Sequence, residues 1–200
     1  MSREKVTRGE LVWLDLEFTH SPGSVGARGS CRDSILECAV VVTTSDLDVV
    51  AESSWVVSHP VARLTSLPDW HQQVYKSKAD GGNGLFDDVL ASDITREKME
   101  SELMELLRKH CVAGQCRLAG NSVHVDREVL LDAMPCVYHF FHHQILDIST
   151  LYTMMRMWRP EHVRRLNSQC GAPAPAPHRA LEDVYVCIQR TRIMAHMYFS

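Results

Sequence analysis

The sequence predicts one α/β domain built on a mixed β-sheet. Three observations predict it. Three β-rich runs come first, at 11–18, 35–43 and 48–58. Helical and strand patterns then alternate toward the C-terminus. Two hundred residues suffice for one well-buried domain and are short for two. No internal repeat or linker divides the chain.

The elements follow in order. Leu11 to Phe18 is a short apolar run broken by two acids, which reads as a buried central strand. The second and third runs flank Thr44-Ser45-Asp46, a turn signal, so they pair as a hairpin. The first pairs with the second around the polar loop 19–33. Residues 65–76 are expected to be one helix, and Gly81-Gly82-Asn83-Gly84 is a break. Residues 95–110 form an amphipathic helix, with Met99, Leu103, Leu106 and Leu107 on one face. A brief strand at 117–120 precedes a helix over 126–134, which Pro135 is expected to stop. A short strand at 145–148 leads to a helix capped by Ser149 and carrying Leu151, Met154, Met155 and Trp158. Residues 160–177 are expected to be a loop, extended where Ala and Pro alternate. A last helix starts near His178.

Composition excludes several classes. Hydrophobic residues make up 45% and charged residues 23%, which fits a globular chain and not a disordered one. The net charge of −4 argues against non-specific binding of long duplex DNA, which needs a net-positive surface. A short anionic substrate presents few phosphates and is still compatible. No apolar run nears the roughly 18 residues that span a bilayer, so no membrane role is expected. The first ten residues do not lead into a secretory signal, and they are too short and too acidic to read as a transit peptide. An intracellular location, cytoplasmic or mitochondrial, is the expectation. Seven cysteines, with no C-x-x-C, argue against a disulfide framework or a structural zinc site. Cys111 and Cys116 read as buried thiols. His139, His142 and His143 read as a polar helix-end or interface segment, since no carboxylate or cysteine joins them at ligand spacing.

The acids are more informative. Asp15 and Glu17 lie two apart on a strand, so both side chains leave one face. Two buried carboxylates side by side repel and lose hydration. Either a divalent cation such as Mg²⁺ or Mn²⁺ compensates them, or they sit at an exposed strand end beside Arg or Lys. Asp126 follows Gly120-Asn121-Ser122, at a helix start where it either caps the helix or faces a site. His178 and Asp183 are five apart, about 140° around a helix, so they would not share a helical face. His178 therefore belongs to the Pro-rich loop or to the frayed helix start.

A strand D-x-E, a distant Asp and a late H-x4-D together resemble the DEDDh 3′–5′ exonucleases. The surrounding text, LVWLDLEFT at 11–19, AGNSVHVD at 119–126, LDISTL at 146–151 and HRALED at 178–183, resembles the oligoribonuclease family. The resemblance runs from about residue 10 to the C-terminus. It implies a ribonuclease-H-like mixed sheet flanked by helices: a single exonuclease domain over 10–200 behind a tail at 1–9. It implies 3′–5′ hydrolysis of short single-stranded RNA to 5′-mononucleotides, by a two-metal mechanism in a homodimer. Asp15, Glu17, Asp126 and Asp183 would hold two divalent cations, Mg²⁺ or Mn²⁺, and His178 would be the general base. Longer RNA or single-stranded DNA as substrate, or a non-catalytic nucleic-acid-binding domain, are the alternatives. Trp70 matches the family's base-stacking tryptophan. Phe18, Ser122, His143 and Ser149 are the other substrate-contact candidates.

Some positions depart from the family. Its Met-Thr-Gly-Leu continuation is here Phe18-Thr19-His20-Ser21, so the wedging leucine is Ser21. The loop to Asp33 is longer and carries Gly23, Gly26 and Gly29. Its His-Tyr-Arg segment, which reaches across the dimer, is His142-His143-Gln144. These replacements weaken the expected grip on a dinucleotide and leave the five-residue set intact.

Overall fold

The structure is a computed structural model that describes residues 10–19, 34–170 and 178–199. The N-terminal tail, Ser21, the loop glycines at 23, 26 and 29, and the alternating Ala-Pro stretch lie outside the described residues. Five strands form one sheet: β1 Leu11–Phe18, β2 Ile35–Thr43, β3 Val49–Val56, β4 Arg117–Gly120 and β5 Ile145–Asp147. Their spatial order is β3-β2-β1-β4-β5. β2 pairs antiparallel with both β1 and β3, whereas β1–β4 and β4–β5 are parallel. The sheet is mixed, as the sequence predicts.

Each pairing has a local cause. All nine residues of β2 are buried, as suits a mostly apolar strand covered on both faces, with Glu37 the one acid among them. The β2–β3 turn closes through Thr44, whose N–H donates to the Asp48 carbonyl (2.9 Å) and whose Oγ1 accepts from the Asp48 N–H (3.2 Å). The buried Trp13 indole N–H donates to Thr43 Oγ1 at 2.9 Å, so this large side chain leaves no orphan donor.

The helices are α1 Val61–Thr65, α2 Asp69–Val74, α3 Leu85–Ala91, α4 Arg96–His110, α5 Val123–Ala133, α6 Pro135–Phe140, α7 Ile148–Trp158, α8 Pro160–Cys170 and α9 Ala180–Phe199. Several expectations need correction. The helix expected over 65–76 is two short helices separated at Pro68, which cannot continue the first. α3 directly follows the glycine break and was not expected. α5 begins at Val123, so Asp126 sits inside its first turn rather than at its start. Pro135 opens α6, and Pro160 opens α8 where a loop was expected. Proline is well suited to a first helical turn because its missing N–H has no partner there anyway. Asp147, not Ser149, caps α7: its carboxylate accepts from the Ser149 N–H at 3.0 Å. The expected thiols Cys111 and Cys116 are buried.

The sheet has two covered faces. Val12, Leu14 and Leu16 of β1 point into a core with Met99, Leu103 and Leu107 of α4, Val129 and Leu130 of α5, and Val137 of α6. Trp13 points the other way, onto Ile148, Met155, Leu166, Val184 and Ile188 from α7, α8 and α9. A third cluster, Leu36, Leu64, Tyr75, Leu85 and Val89, packs the α1–α3 segment against β2. No described helix is long and apolar enough to cross a membrane.

Candidate active site

The site lies where β1 and β4 end. The chain leaves β1 toward β2 on one side and reaches β4 on the other. Such a switch point opens a crevice at the carboxyl ends of the strands. Gly120 ends β4 here, and a Cβ on it would stand 2.8 Å from the Leu14 carbonyl oxygen. Only glycine lets the two backbones come this close.

Asp15 and Glu17 share the face of β1 that Trp13 covers, one and two steps further along. Glu17 is buried and accepts a 2.5 Å hydrogen bond from the Tyr75 hydroxyl. Directly opposite it on β2 lies Glu37, also buried. Like charges in that relation repel. Glu37 is compensated: Arg179 donates to both its oxygens at 3.0–3.3 Å, and the Ala180 N–H donates at 3.0 Å.

Asp126 arrives from the other side of the sheet. β1 pairs with β4 only through Trp13–Ala119, so its edge is open beyond that point. Asp126 Oδ1 accepts the Leu16 N–H there at 3.0 Å. The carboxylate thus takes the place of a missing strand and stands between Asp15 and Glu17 along the chain.

His178 and Asp183 come from the start of α9. His178 lies before the helix, with φ +50°, and Asp183 lies in its first turn. The two avoid the 140° separation because the histidine is not helical. One ligand atom from each of Glu17, His178 and Asp183 can be chosen so that all lie within 4.8 Å of one another. Asp15 is close enough to Asp183 and Glu37 for their charges to raise its pKa.

Electrostatics describe an unbalanced cluster. Burial first, then Asp183 and Glu37, push Asp15 up to about 7. Burial and Asp15 push Glu17 up to about 8, against the opposing hydrogen bond from Tyr75. Burial pushes Asp183 up to about 6. Asp126 is raised by burial and Asp15, against the Leu16 hydrogen bond. Among the described residues, no Lys or Arg pairs with Asp15, Glu17, Asp126 or Asp183, so the exposed-end alternative with a basic partner is not what the fold provides. Clustered carboxylate oxygens are hard donors, the set that Mg²⁺ or Mn²⁺ prefers.

The substrate candidates fall in several places. Trp70 on α2 is 46% exposed, and its ring meets that of His178 edge-on with centroids 5.0 Å apart. Phe18 packs against the α4–α6 core, on the opposite face of β1 from the carboxylates. Ser122 turns the chain from β4 into α5 with φ +55°. Its N–H, the Ser149 N–H and the Ser149 hydroxyl all converge on Asp147 Oδ1 at 3.0, 3.0 and 2.6 Å. His143 precedes β5 at its amino end, stacked at 4.1 Å on His142, and is not brought to the carboxylates of its own chain.

Sequence reasoning missed four residues beside the site: Glu37, Tyr75, Asn83 and Arg179. Glu37 carried a signal, being an acid inside the apolar run Ile35 to Thr43, just like Asp15 and Glu17 in theirs. Tyr75 and Asn83 carried none.

Comparisons with known proteins agree with this geometry. Residues 12–190 match the exonuclease family. An oligoribonuclease of Hahella chejuensis is 35% identical over 92% of this chain and 92% of its own. The chain belongs to the oligoribonuclease family. A probable oligoribonuclease of Dictyostelium discoideum is 35% identical over 91% of this chain and 86% of its own. The mitochondrial oligoribonuclease of mouse is 32% identical over 95% of this chain and 73% of its own. Family membership makes the protein a 3′–5′ exoribonuclease, a phosphodiester hydrolase of a divalent-metal-dependent family. The fold also superposes on Escherichia coli exonuclease I, solved with single-stranded DNA, at a TM-score of 0.65 and 13% identity. That match covers 96% of this chain, which spans about two fifths of exonuclease I (41%). It bears out the ribonuclease-H-like fold.

Proposed function

We propose that this exoribonuclease hydrolyses short single-stranded RNA to 5′-mononucleotides with two divalent cations and a histidine base. The observation that carries the reading is the meeting of Glu17, His178 and Asp183 within 4.8 Å, beside Asp15, at one end of the sheet. Asp15, Glu17 and Asp183 would hold the first ion, Asp15 would also reach the second, and Asp126 would support the second. The ions, Mg²⁺ or Mn²⁺, supply charge stabilisation of the attacking and leaving oxygens. Burial lowers the pKa of His178, so its ring is neutral near neutral pH and free to accept a proton from the attacking water. Exposed Trp70 beside His178 is suited to stack on the terminal base. Ser122 and Ser149, held by Asp147, would face the terminal phosphate. His143 would serve the neighbouring subunit's substrate in a homodimer. Residues 10–200 form the exonuclease domain in this reading. The protein acts inside the cell, in the cytosol or the mitochondrion, and the mouse relative's name favours the latter.

The test is incubation with 5′-labelled RNAs of two, five and twenty nucleotides and a matching DNA series, with Mn²⁺ or with chelator. Metal-dependent shortening from the 3′ end, fastest on the two- and five-mers, is expected. Equal or faster cleavage of the twenty-mer would overturn the short-substrate reading, and faster cleavage of DNA would overturn the RNA reading. No cleavage by folded protein with Mn²⁺ would favour a binding role.

A further inference from the structure

We infer that Glu37, Arg179 and Asn83 form a bracket that positions His178 over the carboxylates. This inference rests on the general-base reading of His178. The bracket itself touches no reacting atom, so its members are positioning residues.

His178 is held in an unusual way. Its φ of +50° is a left-handed conformation that costs a non-glycine residue energy and persists only where surroundings enforce it. Contacts at its carbonyl and immediately after it do so. Asn83 Nδ2 donates to the His178 carbonyl at 2.7 Å. Immediately after it, the Arg179 N–H donates to Asp183 Oδ2 at 3.2 Å, and the Ala180 N–H donates to Glu37 at 3.0 Å. The Arg179 guanidinium then spans two elements: it forks onto Glu37 of β2 and reaches Asp88 of α3 at 2.8 Å. Asn83 and Asp88 belong to one short stretch around the start of α3, and Asn83 Oδ1 also accepts the Leu85 N–H at 3.0 Å. The stretch therefore grips the chain on either side of the His178–Arg179 peptide.

The arrangement has a purpose beyond stability. Glu37 is 4% exposed and opposite Glu17, a costly place for an acid that does no chemistry. Its oxygens are fully taken by the start of α9. Through them the register of β2, the strand paired with β1, fixes where α9 begins. His178 is therefore set relative to Glu17 by the sheet itself. A planar, bidentate guanidinium suits this task, and a lysine at 179 would not reproduce it.

The experiment is a double-mutant cycle against His178→Ala, read as kcat and KM separately on a labelled pentaribonucleotide with saturating Mn²⁺, with Tm for each variant. Asn83→Ala is expected to lower kcat about tenfold, and Arg179→Met about a hundredfold, the cost of misplacing a catalytic group by about 1 Å. KM stays within about twofold, because the bracket does not meet substrate. Arg179→Lys does not rescue. In the His178→Ala background neither substitution lowers kcat further. Should Arg179→Met fail to fold, with Glu37 left buried and unpaired, Glu37→Gln/Arg179→Met removes both charges and takes its place in the cycle. Losses that multiply with His178→Ala, or that fall on KM alone, would overturn this inference and leave the base reading standing. An unchanged kcat in His178→Ala would sink the base reading and the bracket with it.

Discussion

The two faces of β1 are made by one strand and behave as opposites. Val12, Leu14 and Leu16 enter a hydrocarbon core that α4, α5 and α6 close completely. Trp13, Asp15 and Glu17 alternate with them and face α9. That face starts apolar at Trp13 and becomes acidic within one pleat. The first face gains free energy from every residue it buries. The second gives some back, because burial and neighbouring like charges raise the pKa values of its acids. A functional site is held at this cost because the opposite face of the same strand makes it up. The backbone of β1 is rigid for the sake of one face, and the other face uses that rigidity to aim carboxylates.

This comparison can be broken or sharpened. The largest effect is expected from Asp15→Asn. If Asp15 holds the cations as proposed, its loss lowers kcat by about 10³-fold, several kcal/mol of transition-state stabilisation. The Tm of the metal-free protein stays level or rises, because one repelling charge is gone. A fall in Tm with unchanged kcat would erase the distinction between the faces. Leu14→Ala, one residue away, should do the reverse: it loses about 2–5 kcal/mol of stability in denaturant melts and keeps the kcat of the folded fraction.

A third expectation concerns pH. Asp183, Asp15 and Glu17 have pKa values raised to about 6, 7 and 8. A raised carboxyl binds its proton more tightly folded than unfolded. Its stabilisation is present below the unfolded value and is lost as pH climbs through the folded one. The Tm of chelator-treated protein therefore falls from about pH 4 to about pH 8, most steeply below pH 6, and Mn²⁺ opposes the fall by binding the ionised forms. Calorimetry across that range, with and without Mn²⁺, checks the sign. The smallest effect is expected from Tyr75→Phe, which removes one hydrogen bond from Glu17. It costs about 1 kcal/mol and weakens Mn²⁺ affinity a few-fold, measured by titration calorimetry.

Much of this was legible in the sequence, for identifiable reasons. A strand repeats every two residues, so Asp15 and Glu17 announced a shared face without any coordinates. The apolar run of β1 announced a buried central strand, and the turn at Thr44 announced the pairing of β2 with β3. The five candidate residues were readable because each lies in a short stretch that resembles a motif of the family. The prolines were half legible: α5 ends just before Pro135 as expected, but Pro135 also opens α6 and Pro160 opens α8 where a loop was expected, so the same residue type is punctuation in one context and a helix start in another. Which one applies depends on what packs behind it. Val137 and Leu166 reach two different cores and turn both segments helical.

The sequence by itself determined the strand order along the chain, the alternation that splits β1 into two faces, and the identity of the candidate acids. Only the tertiary structure decided which residues meet. Asp126 finds the open Leu16 N–H because β4 is too short to cover it. Tyr75 reaches Glu17 across 58 residues of chain, and Arg179 reaches Glu37 across 142. A pattern along the chain reports periodicity, since that is set by backbone geometry. It does not report long-range partners, since those are set by which elements pack together and where each one ends.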